Sequence, residues 1–241
     1  FGANQLVSGV SGSMWLPYTN SNGLVANKIN SIDEDVNGGV WIGTNNGVSY
    51  FDGNTWISYS TPDLPSDDIS GVAFDSNGDK WFATFLGGIT HFDGLNFTTY
   101  NTSDGLLSIF TTDIVIDNQD NKWIGTTKGM SVLDNSNTFF TNHTMMYYPP
   151  PPDTLNPVVD INIDSWGRIW TGIYLGYLPL GGVAMWDGNQ WQDYDNITDG
   201  LVGPNIKDLS IDSQNNVWVA TSTGVSKITA DSQIEINQSL P

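Results

Sequence analysis

Cysteine is absent from this 241-residue chain, which excludes disulfides, thiol nucleophiles and Cys-ligated zinc together. Basic side chains are scarce, with 7 Lys and Arg against 26 Asp and Glu, for a formal net charge of -19. A surface that negative repels nucleic acid and anionic lipid, so neither is an expected partner. No run approaches the roughly 20 uninterrupted apolar residues of a spanning helix. The longest candidate, residues 173–186, is broken by Gly176, Pro179, Gly181 and Gly182, so membrane insertion is not expected. A sustained 3.6-residue apolar stripe is missing too, which argues against long helices. What the chain does hold is short runs of β-branched and aromatic residues between Asn, Asp and Gly. With 39% hydrophobic residues, a chain of this length can bury a sizeable core. The composition is all-β.

A repeat sets the fold. Trp41, Trp81, Trp123, Trp170 and Trp218 each stand six residues after an aspartate: Asp35, Asp75, Asp117, Asp164 and Asp212. The text after each Trp recurs, as in Trp41-Ile-Gly-Thr and Trp123-Ile-Gly-Thr, and a Gly then opens another apolar run, as at Gly47, Gly88 and Gly182. An aromatic pair three apart follows at Trp56 and Tyr59, Phe97 and Tyr100, and Trp191 and Tyr194. Each unit reads as four short strands, a to d, with an Asp/Gly hairpin between a and b. Four antiparallel strands recurring every 40 to 48 residues predict a β-propeller blade, and the chain holds five such units. The last unit shows strands a to c only. The orphan pair Trp15 and Tyr18 is therefore expected to supply its outer strand and so close the ring. The boundaries that follow are an N-terminal extension over 1–13, one propeller domain over 14–229, and a tail or linker over 230–241. The five template Trp are expected to pack between blades.

The motifs Asp104-Gly105-Leu106 and Asp199-Gly200-Leu201, with Trp123-Ile-Gly-Thr and Gly129-Met-Ser, resemble the two-component regulator propeller repeat. The resemblance covers nearly the whole chain. It implies an extracytoplasmic β-propeller of the kind found in bacterial sensors, often glycan-responsive ones, on the cell surface, in the periplasm or secreted.

Candidate binding residues come from two places. Four residues before the template aspartates stand Ser31, Gly71, Asp113, Asp160 and Asp208, in the strand expected to line the channel. Asp113, Asp160 and Asp208 at one level could bind Ca²⁺ or ligand hydroxyls, or else cap exposed backbone N–H groups. The fourth unit is swollen in its d–a connection, 145–157, and in its b–c connection, 173–182. Both fall on one face of one blade, and Tyr147, Tyr148, Tyr174 and Tyr177 there offer flat apolar rings with hydroxyl tips. His143 precedes the first insertion and is placed within reach of that face. His91 fills a strand position held elsewhere by Tyr50, Val132, Met185 and Lys227, and Trp166 occupies an exposed a–b turn.

No Gly-x-Ser-x-Gly elbow, His-x-x-x-His pair or phosphate-cradling loop is present. The leading expectation is a non-enzymatic binding or sensor propeller that recognises a glycan or a protein surface through the fourth-blade face. One alternative is a lyase or hydrolase acting at the channel mouth through His143, the ring carboxylates and a divalent metal. The other is a structural assembly module that self-associates.

Overall fold

The computed structural model describes residues 3–9, 12–146, 155–174, 180–231 and 234–235. Every helix or strand among them is a β-strand. The first sheet of the repeat holds β3 (Ile29–Glu34), β4 (Val40–Thr44), β5 (Gly47–Phe51) and β6 (Trp56–Tyr59). The second holds β7 (Ile69–Phe74), β8 (Lys80–Thr84), β9 (Gly88–Phe92) and β10 (Phe97–Tyr100). The third holds β11 (Thr111–Ile116), β12 (Lys122–Thr126), β13 (Gly129–Leu133) and β14 (Phe140–His143). The fourth holds β15 (Val158–Ile163), β16 (Ile169–Tyr174), β17 (Gly181–Trp186) and β18 (Trp191–Asp195). The fifth holds β19 (Ile206–Ile211), β20 (Val217–Thr221), β21 (Gly224–Ile228) and β22 (Ile234–Glu235). These are the five four-stranded blades of a β-propeller.

Two expectations are corrected. The segment holding Trp15 and Tyr18 does not complete the fifth sheet; β22 does. Instead β2 (Gly12–Tyr18) pairs with β1 (Ala3–Gly9) in unbroken register, from Ala3 opposite Tyr18 to Gly9 opposite Gly12. A partner a few residues away costs far less loop-closure entropy than one at the other end of the chain. The template Trp are also not all covered: Trp41, Trp81, Trp123 and Trp170 are buried, whereas Trp218 is 41% exposed. Trp218 stands in the last sheet of its compact unit, with Lys227 Nζ 5.9 Å above its ring.

The chain divides into two compact units, one of residues 1–104 and 109–114, the other of 105–108 and 115–241. In the first, Trp41, Val48, Ile69, Val72, Phe82 and Phe92 form a core between the first two sheets. In the second, one core joins the third and fourth sheets through Trp123, Val158, Ile161 and Ile169. Another joins the fourth and fifth through Trp170, Val183, Leu209 and Val219.

The six-residue Asp–Trp spacing has a physical cause. In the first a–b turn the Asp35 carboxylate accepts the N–H groups of Asn37 and Gly39, and also the indole N–H of Trp41 at 3.1 Å. The same indole bond recurs at Asp75–Trp81, Asp117–Trp123, Asp164–Trp170 and Asp212–Trp218, at 2.9 to 3.1 Å. One carboxylate thus closes the hairpin and orients the ring that fills the core. Three residues past each Asp the backbone is left-handed, with φ 82° at Gly38 and 63° at Asn215, which explains the Gly, Asn and Asp found there.

Candidate functional site

Four of the five innermost strands carry a bulge near their start: between Ile29 and Ser31, Ile69 and Gly71, Val158 and Asp160, and Ile206 and Asp208. In the first unit the extra residue is polar, Asn30 or Ser70, and its side chain reaches the neighbouring innermost strand. Asn30 Nδ2 donates to Asp68 Oδ1 and to the Ile69 carbonyl, both at 2.9 Å, and Ser70 Oγ donates to the Thr111 carbonyl at 3.0 Å. In the second unit Asn162 Nδ2 donates to the Leu209 carbonyl at 3.1 Å.

Of the aspartate column, Asp160 takes part in this stitching. Asp160 Oδ2 accepts the Leu209 N–H at 2.7 Å and Asn162 Nδ2 at 2.9 Å. Asp113 Oδ1 accepts the N–H of Ile114 at 2.8 Å. Asp208 is exposed. Backbone capping is thus what Asp113 and Asp160 do in the structure.

The fourth sheet brings its two insertions to one end. Val158 lies opposite Ile173, and Tyr174 lies opposite Gly181, so both loops leave the same end of the sheet. The Tyr174 N–H donates to the Pro157 carbonyl at 3.3 Å, and the Met146 N–H to Asn156 Oδ1 at 2.7 Å, which ties the first insertion at its base. In four sheets a Thr at the end of strand b closes the b–c turn by donating to a Gly carbonyl: Thr44 to Gly47, Thr84 to Gly88, Thr126 to Gly129 and Thr221 to Gly224. The fourth sheet has Ile173 in that place, and there the loop is enlarged. Tyr174 is half-buried, with Lys207 Nζ 5.7 Å from its ring centroid. Tyr147, Tyr148 and Tyr177 lie outside the described residues.

His143 belongs to the packing between sheets. It takes the place of Tyr59, Tyr100 and Tyr194 in the aromatic pair, and its ring stacks on Trp123 at 6.1 Å and 13°. Those three tyrosines stack on Trp41, Trp81 and Trp170 in the same way. Trp186 and Trp191 enclose the other side of His143 at 5.2 and 5.5 Å, and Nδ1 accepts the Trp191 indole N–H at 3.1 Å. Burial holds its imidazole below the usual histidine range. The lyase alternative therefore finds its histidine inside an aromatic box.

Sequence reasoning missed a cleft in the first unit. It has a volume of about 340 Å³ and is lined by Lys28, Asn30, Asp68, Ser70, Phe85, Thr111 and Thr112. It opens at the d–a and b–c end of its sheets, the end that carries the insertions in the fourth. Lys28 and Asp68 supply one charge of each sign, and Phe85 packs edge-on to Phe110 at 5.4 Å. Thr112 Oγ1 is buried and has no hydrogen-bond partner. The residues come from separate sheets, so no local motif marks them; only their place beside the bulges could have.

Residues 23–46 match the model of the two component regulator propeller family. The chain carries that propeller repeat. Among solved structures, the extracellular domain of BT4673 from B. thetaiotaomicron is similar, with a TM-score of 0.74 and 20% identity over 95% of this chain and 32% of that one. A second structure of it describes BT4673 as a hybrid two component system. Virginiamycin B lyase from Staphylococcus aureus, with quinupristin, gives a TM-score of 0.70 and 16% identity over 94% of this chain and 74% of that one. PorZ, a surface component of the type-IX secretion system of Porphyromonas gingivalis, gives 0.67 and 14% over 91% and 35%. The propeller spans about a third of the BT4673 chain. These likenesses establish the fold. No curated protein matches in sequence.

Proposed function

We propose that this propeller is a non-catalytic, extracytoplasmic recognition module that binds a hydroxyl-rich ligand, a glycan, at the d–a and b–c end of its sheets. The observation that carries this reading is the orphaned Thr112 Oγ1 in the first unit's cleft. A buried hydroxyl without a partner costs free energy that a ligand hydroxyl would recover. Around it, Asn30, Ser70 and Thr111 offer donors and acceptors, Lys28 and Asp68 offer charge, and Phe85 offers an apolar ring. In the second unit the end of the fourth sheet, with Tyr174 beside the two insertions, is a contact area of its own. Likeness to an extracellular domain described as part of a two component system supports a sensor setting. A protein surface in place of a glycan would use the same sheet ends.

A glycan-array screen with and without Ca²⁺, followed by titration of the best binder, tests the proposal. Thr112→Val is nearly isosteric and removes the orphaned hydroxyl, so it is expected to weaken binding about tenfold or less while leaving the melting temperature unchanged or higher. Tyr174→Ala is expected to lower affinity as well. Glycan binding unaffected by both substitutions would place the ligand elsewhere, and a blank array would overturn the glycan reading.

A further inference from the structure

The repeat acts as its own control, and one blade breaks the rule in a way that points to a cation. The residue four after each template aspartate flanks that aspartate's carboxylate. In the third sheet it is Asn121, whose Nδ2 donates to Asp117 Oδ2 at 3.0 Å. The fourth has Arg168, whose Nε donates to Asp164 Oδ2. The fifth has Asn216, whose Nδ2 donates to Asp212 Oδ2 at 2.9 Å. Gly39 of the first sheet carries no side chain, and Tyr50 fills its space. In the second sheet the position holds Asp79, so an acid stands where the other blades place a donor or nothing. Beside it, at the position across from the template Trp, only this sheet has a histidine: His91 pairs with Trp81.

The three groups converge. One ligand atom from each of Asp75, Asp79 and His91 lies within 4.8 Å of the others, and they form the one such group among the described residues. His91 Nε2 is 2.9 Å from Asp79 Oδ2. The imidazole is fixed by stacking on Trp81 at 4.5 Å and 23°. Asp75 is buried and its two oxygens accept three bonds, from Asn77 N, Asp79 N and Trp81 Nε1. A carboxylate has about four acceptor sites, so one remains. The side chains of His91 and Asp79 are 17% and 24% exposed, which leaves solvent a route to complete a coordination shell.

We infer that Asp75, Asp79 and His91 form a binding site for a divalent transition metal, with zinc the best fit. One imidazole and two carboxylates are a mixed nitrogen–oxygen set that suits zinc with water in the fourth position; calcium takes oxygen ligands alone. The metal would replace, in this blade, the donor that Asn121, Arg168 and Asn216 supply in the others.

The test titrates metal-stripped full chain with ZnCl₂ by calorimetry at physiological salt, where weak association with the acidic surface is screened. The expected result is one saturable equivalent per chain. Asp79→Asn restores the residue of the third and fifth sheets, so it folds by the repeat's own rule. It should lower zinc affinity at least about tenfold and abolish zinc's thermal stabilisation, while the metal-free variant melts no lower than metal-free wild type. His91→Tyr, which copies Tyr50, should do the same to zinc binding. Absence of saturable binding in wild type, or undiminished binding by either variant, would overturn the site.

Discussion

The indole N–H of Trp191 donates to Nδ1 of His143 across 3.1 Å, and this bond fixes the histidine's protonation state. A ring nitrogen that accepts a bond carries no proton, so His143 is neutral in the fold, with its proton on Nε2. Burial among Trp123, Trp186 and Trp191 pushes the same way, below the usual range.

A pH dependence results. The unfolded chain protonates this histidine near about pH 6.5, whereas the folded chain resists until lower pH. The unfolded state therefore binds more protons in that window, and stability falls as pH drops. The melting temperature should decline from about pH 7 to pH 5. His143→Tyr, which restores the residue used in three other sheets, should flatten that stretch of the curve. Identical slopes in wild type and variant would show that another group is linked.

A second window lies lower. Asp93 in the second c–d turn is held down to about 2 by the N–H of Asn96, with help from its side chain and from the Leu95 N–H. Asp52 and Asp187 are lowered chiefly by the N–H groups of Thr55 and Gln190. Depressed carboxylates contribute stability that is present above about pH 4 and lost as pH falls through their folded values. The protein should therefore unfold progressively below about pH 4. Asp93→Asn should melt lower than wild type at neutral pH yet lose less on going to pH 2, a difference readable by circular dichroism.

The template aspartates carry more than a turn. Asp117 accepts the N–H groups of Gln119 and Asn121, the amide of Asn121 and the indole of Trp123. Asp117→Ala strands those donors and frees a core ring, at an expected cost of about 2–4 kcal/mol. Urea denaturation should show a lower midpoint with an unchanged slope; a shift no larger than that of a surface substitution would refute the role.

This carboxylate–indole bond is also why the fold could be read from sequence. Asp and Trp are tied at fixed spacing by one contact, so the spacing survives while surrounding residues vary. Trp15 and Tyr18 misled because they copy the spacing of an outer-strand aromatic pair, yet strand partners are chosen by available edges, and β1 is the nearer one. The true last strand, Ile234–Glu235, carries no aromatic pair to announce it. His143 was misplaced because it stands in a tyrosine column and Phe140 opens that pair; the spacing was visible, the equivalence was not. The cleft depends on side chains converging from different sheets, which periodicity does not encode, whereas Asp79 and His91 stand out only when the same column of the repeat is compared across the five sheets.

The small residue of the Trp-x-Gly motif yields a last prediction, about close approach between sheets. A Cβ on Gly172 would stand 2.6 Å from Ile206 Cγ2, and Ile206 is 1% exposed, with no room to retreat. Gly43 meets Ile69 in the same way at 2.8 Å. The missing methyl is what lets the first isoleucine of one sheet seat against the second strand of the previous one. Gly172→Ala gains the roughly 0.5–1 kcal/mol that alanine has over glycine inside a strand, yet it adds volume to a filled site, so overpacking should leave a net cost of about 1–3 kcal/mol. At Gly53, where nothing lies within 4 Å, the penalty arises instead from its φ of 98°. Truncating Ile206 in the Gly172→Ala background should therefore recover part of the loss, whereas it cannot rescue Gly53→Ala. Thermal melts of the two singles and their combinations with Ile206→Val and Ile206→Ala would separate crowding from backbone strain, and equal responses at both glycines would refute the packing account.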